Sequence, residues 1–267
     1  MMKESPHVAI VSMPWASVWV PSIQLAVLRQ CLEGHATVSS YDFYVDFAAL
    51  ISPRLYKALS ESLGFAEEWI FASRYFPEEG FNYEAHYPDL PFPPIGIGSP
   101  SREAALLNAL AEIAEEYLDR LAMDHPWDTY DVVAFSLTIS QTAASMAMAR
   151  RIKQRNPDAY IIFGGTSCAG PPAEAMLRIC PYIDVVVRGE AEGCFADLVR
   201  RLTTNTPLDD LAGVTFRTSG GIRSTTPGAL RRFERRSQDA NFDSYFERLK
   251  HHGLNGSDQI MLPFESS

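Results

Sequence analysis

The run Val132-Val133-Ala134-Phe135, closed by Ser136, is followed by a helical stretch from Thr142 to Lys153 rich in Ala and Met. A second run, Tyr160-Ile161-Ile162-Phe163, then ends at Gly164-Gly165. Two short apolar runs joined by one helix read as a βαβ unit, with strands buried on both faces and a right-handed crossover. The same pattern extends outward. Val8-Ala9-Ile10-Val11 predicts a strand, and a helix follows Pro21 with Leu25, Leu28 and Leu32 at helical spacing, closed by Gly34. Ala36 to Tyr41 predicts the second strand and Asp184 to Val187 the fifth. Pro172 to Ile179 and Glu192 to Leu202 predict helices, the latter with Phe195, Leu198, Val199 and Leu202 on one face. Five such runs predict an α/β fold: a Rossmann-like, five-stranded parallel sheet.

The alternation is interrupted between about 43 and 125. Phe47 to Phe76 reads as irregular helix, Pro77 to Pro100 as a proline-rich loop, and the next helix carries Leu106, Leu110, Ile113, Tyr117 and Leu121 as its stripe. This stretch predicts a helical insertion. Val214 to Arg217 and Ile222 to Thr225 flank Ser219-Gly220-Gly221 and predict a C-terminal β-hairpin extension. Arg231 to Lys250 reads as partly helical and 251–260 as a linker. The expected division is 1–204 as one domain and 205–267 as hairpin and linker.

A net charge of -10 disfavours nucleic acid and anionic membranes as partners. Cys31, Cys168, Cys180 and Cys194 are too far apart in sequence for a Cys-based zinc or iron–sulfur motif, and scattered thiols predict a cytoplasmic chain. No apolar run approaches membrane-spanning length, and Met1 to His7 is too polar for a signal peptide.

In an open parallel sheet, ligands bind beyond the carboxyl ends of the strands at the switch point. The candidate segments are Ser12 to Trp19, Asp42 to Asp46, Ser136 to Gln141, Gly164 to Gly170 and Arg188 to Glu192. No glycine-rich phosphate loop follows the first strand, which leaves a dinucleotide or ATP without its usual cradle. Ser136, Thr138, Ser140, Gly164, Gly165, Thr166 and Ser167 offer small walls and hydroxyls to a large ligand, or serve as plain turn formers. Glu190 and Glu192 read as ligands or as acids favoured at a helix start. Asp42 and Asp46 read as solvated loop acids, and His251-His252 as a surface pair.

Ser136-Leu137-Thr138 and Gly164-Gly165 resemble the Ser-x-Leu and Gly-Gly elements of cobalamin-binding domains. The resemblance implies that the Ser136 hydroxyl contacts the nucleotide tail of cobalamin and that the glycines let the tail run along the backbone. That family usually carries Asp-x-His-x-x-Gly after its first strand. Ser12-Met13-Pro14-Trp15 stands there instead, so histidine-ligated cobalt is not expected. The opening Met13-Pro14-Trp15 loop, Phe163-Gly164-Gly165-Thr166, the Arg188-Gly189-Glu190-Ala191-Glu192 run and Phe242-Asp243-Ser244-Tyr245-Phe246 together resemble the front domain of cobalamin-dependent radical SAM enzymes, in the peptide-maturation C-methyltransferase branch. The closing Leu262 to Ser267 is similar to the lead-in to their three-cysteine cluster motif.

The resemblance implies cobalamin as cofactor, with Met13, Pro14, Trp15, Ser136, Thr138, Gln141, Gly164, Gly165, Thr166 and Glu190 around it. It also implies a radical SAM domain, holding a 4Fe-4S cluster and S-adenosylmethionine, as partner, and a peptide as substrate. Without cluster cysteines this chain is expected to bind cofactor and not to turn over alone. The rival readings are a free-standing corrinoid carrier and a nucleotide- or flavin-binding sensor.

Overall fold

The computed structural model describes residues 5–61, 66–75, 100–228, 240–256 and 259–263. The proline-rich stretch 77–99 and the closing 264–267 lie outside the described residues. Strands β1 (His7–Ser12), β2 (Thr37–Asp42), β3 (Val132–Ser136), β4 (Tyr160–Gly164) and β5 (Val185–Val187) pair in parallel. The hairpin β6 (Val214–Thr218) and β7 (Gly221–Ser224) pairs antiparallel onto β5. The hairpin expected as an extension therefore continues the sheet, in the order β2-β1-β3-β4-β5-β6-β7. Arg188 fastens this junction: its backbone N–H donates to the Gly213 carbonyl at 2.7 Å, and its guanidinium donates to the Val214 and Thr225 carbonyls.

The strand alternation sorts the sheet into two apolar faces. Val8, Ile10, Val132, Ala134, Ile162, Val185 and Val187 pack on one side against α1 (Ile23–Cys31) and α8 (Phe195–Thr203). The Ser22 hydroxyl caps α1 by accepting from the Leu25 N–H. The predicted face of α8, Phe195, Leu198, Val199 and Leu202, is the buried one. That helix begins later than predicted. Gly189 sits at φ +94° and Cys194 holds the N-cap position, so Glu190 and Glu192 precede the helix.

On the opposite side Ala9, Val11, Val133, Phe135, Ile161 and Phe163 meet α6 (Thr142–Arg155) and the insertion. The insertion folds as α2 (Phe43–Ile51), α3 (Pro53–Ser60), α4 (Ala66–Tyr75) and α5 (Pro100–Asp124). Ser52 (φ +78°) and Pro53 break what reads in sequence as one helical stretch: proline suits the first turn of α3 but disfavours helix in the residue before it. The stripe of α5 is rotated slightly from prediction: Leu107, Leu110, Ala114, Tyr117, Leu118 and Leu121 are buried, and Leu106 and Ile113 only partly. Helix α7 (Pro172–Ile179) has its predicted bounds.

Helix α9 (Asp243–His251) lies against β2 and α2. Its Tyr245 and Leu249 are buried. The Ser244 hydroxyl donates to Asp42 Oδ2 at 3.0 Å, Arg248 pairs with Asp46, and His252 Nε2 lies 2.8 Å from Asp46 Oδ1. Asp42 and Asp46 are thus not solvated loop acids. His252 is tied into this cluster, and of the expected surface pair His251 alone is exposed. Burial pushes the Asp42 carboxyl above the usual carboxylate range. Among the described residues, no helix is long and apolar enough to cross a membrane.

Candidate functional site

The strand order turns between β1 and β3, and there the loops after the two strands diverge and leave a crevice. Two adjoining cavities occupy it. The first is a slot of about 130 Å³ between the sheet and the facing ends of α1 and α8. Ala134, Ser136, Gly164, Val187, Glu190 and Phe195 are among its walls. Ser136 and Gly164 are register partners on adjacent strands. They extend the alternation of Ala134 and Ile162, and so face the α1 side. The second cavity, about 490 Å³, is broader and lies over the strand ends, with Trp15, Ser17, Glu67, Thr138, Gln141 and Thr166 around it. Ser136 and Gln24 line both cavities, so slot and bed are continuous.

Gln141 organises the bed. It is 1% exposed. Its amide nitrogen donates to Ser12 Oγ at 3.1 Å and to the Met13 carbonyl, and its carbonyl accepts from the Thr138 N–H and hydroxyl, both at 2.8 Å. One side chain therefore fixes the loops after β1 and β3 relative to each other. We expect Gln141→Leu to cost about 2–4 kcal/mol, because Ser12, Met13 and Thr138 lose buried partners together. Urea unfolding reads this directly, and a loss below 1 kcal/mol would remove Gln141 from this role.

The loop after β1 is held from outside as well. The hydroxyls of Tyr56, Tyr245 and Tyr44 donate to the carbonyls of Ala16 (2.7 Å), Val18 (3.0 Å) and Val20 (3.2 Å). Three helices, α3, α9 and α2, thus each grip an alternate carbonyl. The Met261 N–H donates to the Trp19 carbonyl at 2.9 Å. Trp15 packs on Phe47, Tyr56 and Phe71, and its indole N–H donates to the Glu67 carbonyl at 2.9 Å. It is a core aromatic that shows one edge to the bed.

Of the residues singled out in the sequence, Ser136, Gly164, Gly165 and Glu190 line the slot, and Trp15, Thr138, Gln141 and Thr166 line the bed. Met13 and Pro14 line neither. They lie buried beneath the loop, with Met13 at 0% exposure in the core. The two glycines differ. A Cβ on Gly164 would meet only the Val187 Cβ, at 3.7 Å, whereas Gly165 has φ +108° and a Cβ there would sit 2.3 Å from the Leu137 carbonyl oxygen. Ile139, 76% exposed, forms an apolar rim to the bed.

Sequence reasoning missed the contributions of α1 and the insertion. Gln24 and Val27 come from α1, and Ser60 and Glu67 from the insertion. Glu68, beside Glu67, caps α6: its carboxylate accepts from the Thr142 and Ala143 N–H groups at 2.9 and 2.8 Å. Nothing in the local spacing marks either acid, because their partners are more than 70 residues away. No described histidine lines either cavity; His86 lies outside the described residues.

A mixed, mostly parallel sheet with helices on both faces, and a slot running into a bed at its carboxyl edge, define a Rossmann-like α/β domain. In agreement with that class, a family model described as B12 binding domain matches residues 103–199, from α5 into α8. An uncharacterized methyltransferase of Pyrococcus horikoshii is 29% identical over 143 residues, which are 52% of this chain and 31% of that protein. The 2-(S-pantetheinyl)-carbapenam-3-carboxylate methyltransferase of Streptantibioticus cattleyicolor is 33% identical over 88 residues, 33% of this chain and 13% of that protein. The match thus spans less than a third of either relative. Two solved structures resemble the chain at low identity. One is the cobalamin-dependent S-adenosylmethionine radical enzyme OxsB with aqua-cobalamin and S-adenosylmethionine bound (14% identity, TM-score 0.48, 85% of this chain and 23% of that one). The other is the radical S-adenosylmethionine methyltransferase TsrM from Kitasatospora setae with cobalamin and a 4Fe-4S cluster bound (12% identity, TM-score 0.47, 90% and 32%).

The walls fit cobalamin. The slot has a glycine face at Gly164 where a nucleotide tail can lie against the backbone. The Ser136 hydroxyl lines the slot beside it, where it can exchange a hydrogen bond with the tail. The bed carries neutral hydroxyls and amides suited to a large ring edged with carboxamides.

Proposed function

We propose that this chain is the cofactor domain of a cobalamin-dependent radical SAM methyltransferase acting on a ribosomally made peptide, and that it holds cobalamin without a histidine ligand to cobalt. The observation that carries the reading is the continuous slot and bed, walled by Ser136 and Gly164 and floored by the histidine-free loop 12–20. Ser136, Gly164 and Gly165 would hold the nucleotide tail in the slot, away from the ring, and Trp15, Thr138 and Gln141 would carry the ring, with cobalamin supplying the methyl-transfer chemistry. Residues 1–204 bear the cofactor, and 205–267 lead toward a radical SAM domain. That domain would supply the cluster and S-adenosylmethionine, while the protein around cobalamin positions it and excludes competing reactions. The peptide substrate rests on the resemblance of residues 242–246. A small-molecule acceptor is the second reading, supported by the match to a carbapenam methyltransferase.

The test is to incubate the purified chain with hydroxocobalamin, desalt it, record the visible spectrum, and then reduce to cob(II)alamin for electron paramagnetic resonance. Co-elution of the corrin, with a cobalt spectrum lacking nitrogen hyperfine splitting, is expected. Nitrogen splitting would refute the histidine-free, base-off mode. Failure to retain the corrin would refute the reading as a whole.

A further inference from the structure

Glu67 is the one ionisable side chain among the described residues that line the bed; the remaining walls are hydroxyls, amides and apolar groups. It reaches the bed from the first turn of α4 and is 5% exposed. One carboxylate oxygen, Oε1, accepts from the Ser140 hydroxyl at 2.9 Å. The other, Oε2, is buried and finds no hydrogen-bond partner among the described residues. An unmet buried acceptor of this kind is costly, and native structures seldom leave one without a reason. Burial also holds the carboxyl above its ordinary range. Ser140 itself sits at φ +66°, in a region serine rarely adopts. Its hydroxyl, and with it Oε1, is thus set by the loop after β3. The backbone at Glu67 is fixed from the other side by the Trp15 indole. Glu67 is therefore held at two points, its carboxylate by the Ser140 hydroxyl and its backbone by the Trp15 indole, with Oε2 left without a described partner.

We infer that Glu67 Oε2 is a ligand-binding acceptor that takes an N–H from a carboxamide on the rim of the bound corrin. This rests on the cobalamin reading above. The chemistry selects the group. A lone carboxylate with no cation among the bed's walls repels phosphates and carboxylates and attracts N–H donors, which the cobalamin reading narrows to the ligand's neutral carboxamides. The corrin rim carries primary carboxamides, and the phosphate of the tail belongs in the slot, away from Glu67.

The experiment measures dissociation constants by visible titration for hydroxocobalamin and for its separated monocarboxylic acids, in which one rim carboxamide has been hydrolysed. The proteins are the unmodified chain and Glu67→Gln, with circular dichroism and thermal melting as controls for folding. The unmodified chain is expected to bind hydroxocobalamin about 10-fold more tightly than Glu67→Gln does. It is expected to discriminate against at least one monoacid by on the order of 100-fold, and Glu67→Gln to relieve most of that discrimination. The monoacid comparison on the unmodified chain stands even if the variant fails to fold. Equal affinities across all pairs, with hydroxocobalamin still retained, would overturn the Glu67 contact alone. No uptake of hydroxocobalamin by the unmodified chain would overturn the cobalamin reading and this contact with it.

Discussion

Gly164→Leu is expected to weaken cobalamin uptake by on the order of 100-fold or more while the chain still folds. Gly164 closes β4 and shares a face with Ile162, whose side chain packs on the α1 side of the sheet. A Cβ there finds only the Val187 Cβ at 3.7 Å, an ordinary contact, so the backbone tolerates a side chain. The space a leucine would enter is the slot, of about 130 Å³, which leaves no room for a second occupant of aromatic size. Filling an apolar cavity need not destabilise the fold, so the melting temperature is expected to change little while retention of the corrin after desalting is lost. Retention at the unmodified level would show that no tail occupies that slot.

Gly165→Ala is expected to do the opposite, lowering stability by about 3–5 kcal/mol. Two causes add. The residue has φ +108°, which an L side chain adopts only under strain, and the new methyl carbon would sit 2.3 Å from the Leu137 oxygen and 2.9 Å from the Leu137 nitrogen. That backbone cannot easily give way, because the Leu137 N–H donates to the Gly164 carbonyl at 2.7 Å and its carbonyl accepts from Ser167. Thermal or urea unfolding measures the loss, expected as roughly a 10 °C fall for a chain of this size. An undiminished melting temperature would contradict this contact. Side by side, the two substitutions separate a glycine required by the ligand's slot from one required by the fold.

That separation shows how much the sequence discloses. The paired glycines stand out in any reading, but their different duties depend on where Leu137 lies, which no local pattern gives. The strands and the helices between them are legible because burial on two faces writes itself as short apolar runs, and amphipathic helices such as α8 write theirs at a 3.6-residue period. The slot walls Ser136 and Gly164 are legible for a related reason: strand ends at a switch point are where ligands go. Met13 and Pro14 mislead because a loop sequence does not say which of its residues turn inward; Met13 fills the core while its carbonyl holds Gln141. Glu67 and Glu68 stay hidden in an aromatic-rich stretch, since their roles arise only when the insertion folds back on the loop after β3. Asp42 and Asp46 likewise read as solvated until a helix some 200 residues further along covers them.

The three tyrosine clasps on the loop after β1 carry a mechanical consequence. Tyr44 and Tyr56 come from segments close in the chain, but Tyr245 arrives from α9, 227 residues beyond the carbonyl it grips. A displacement of α9 relative to β2 is therefore delivered, through the Tyr245 hydroxyl, to the middle of the loop that floors the bed. The C-terminal helix and the floor of the bed are thereby mechanically linked.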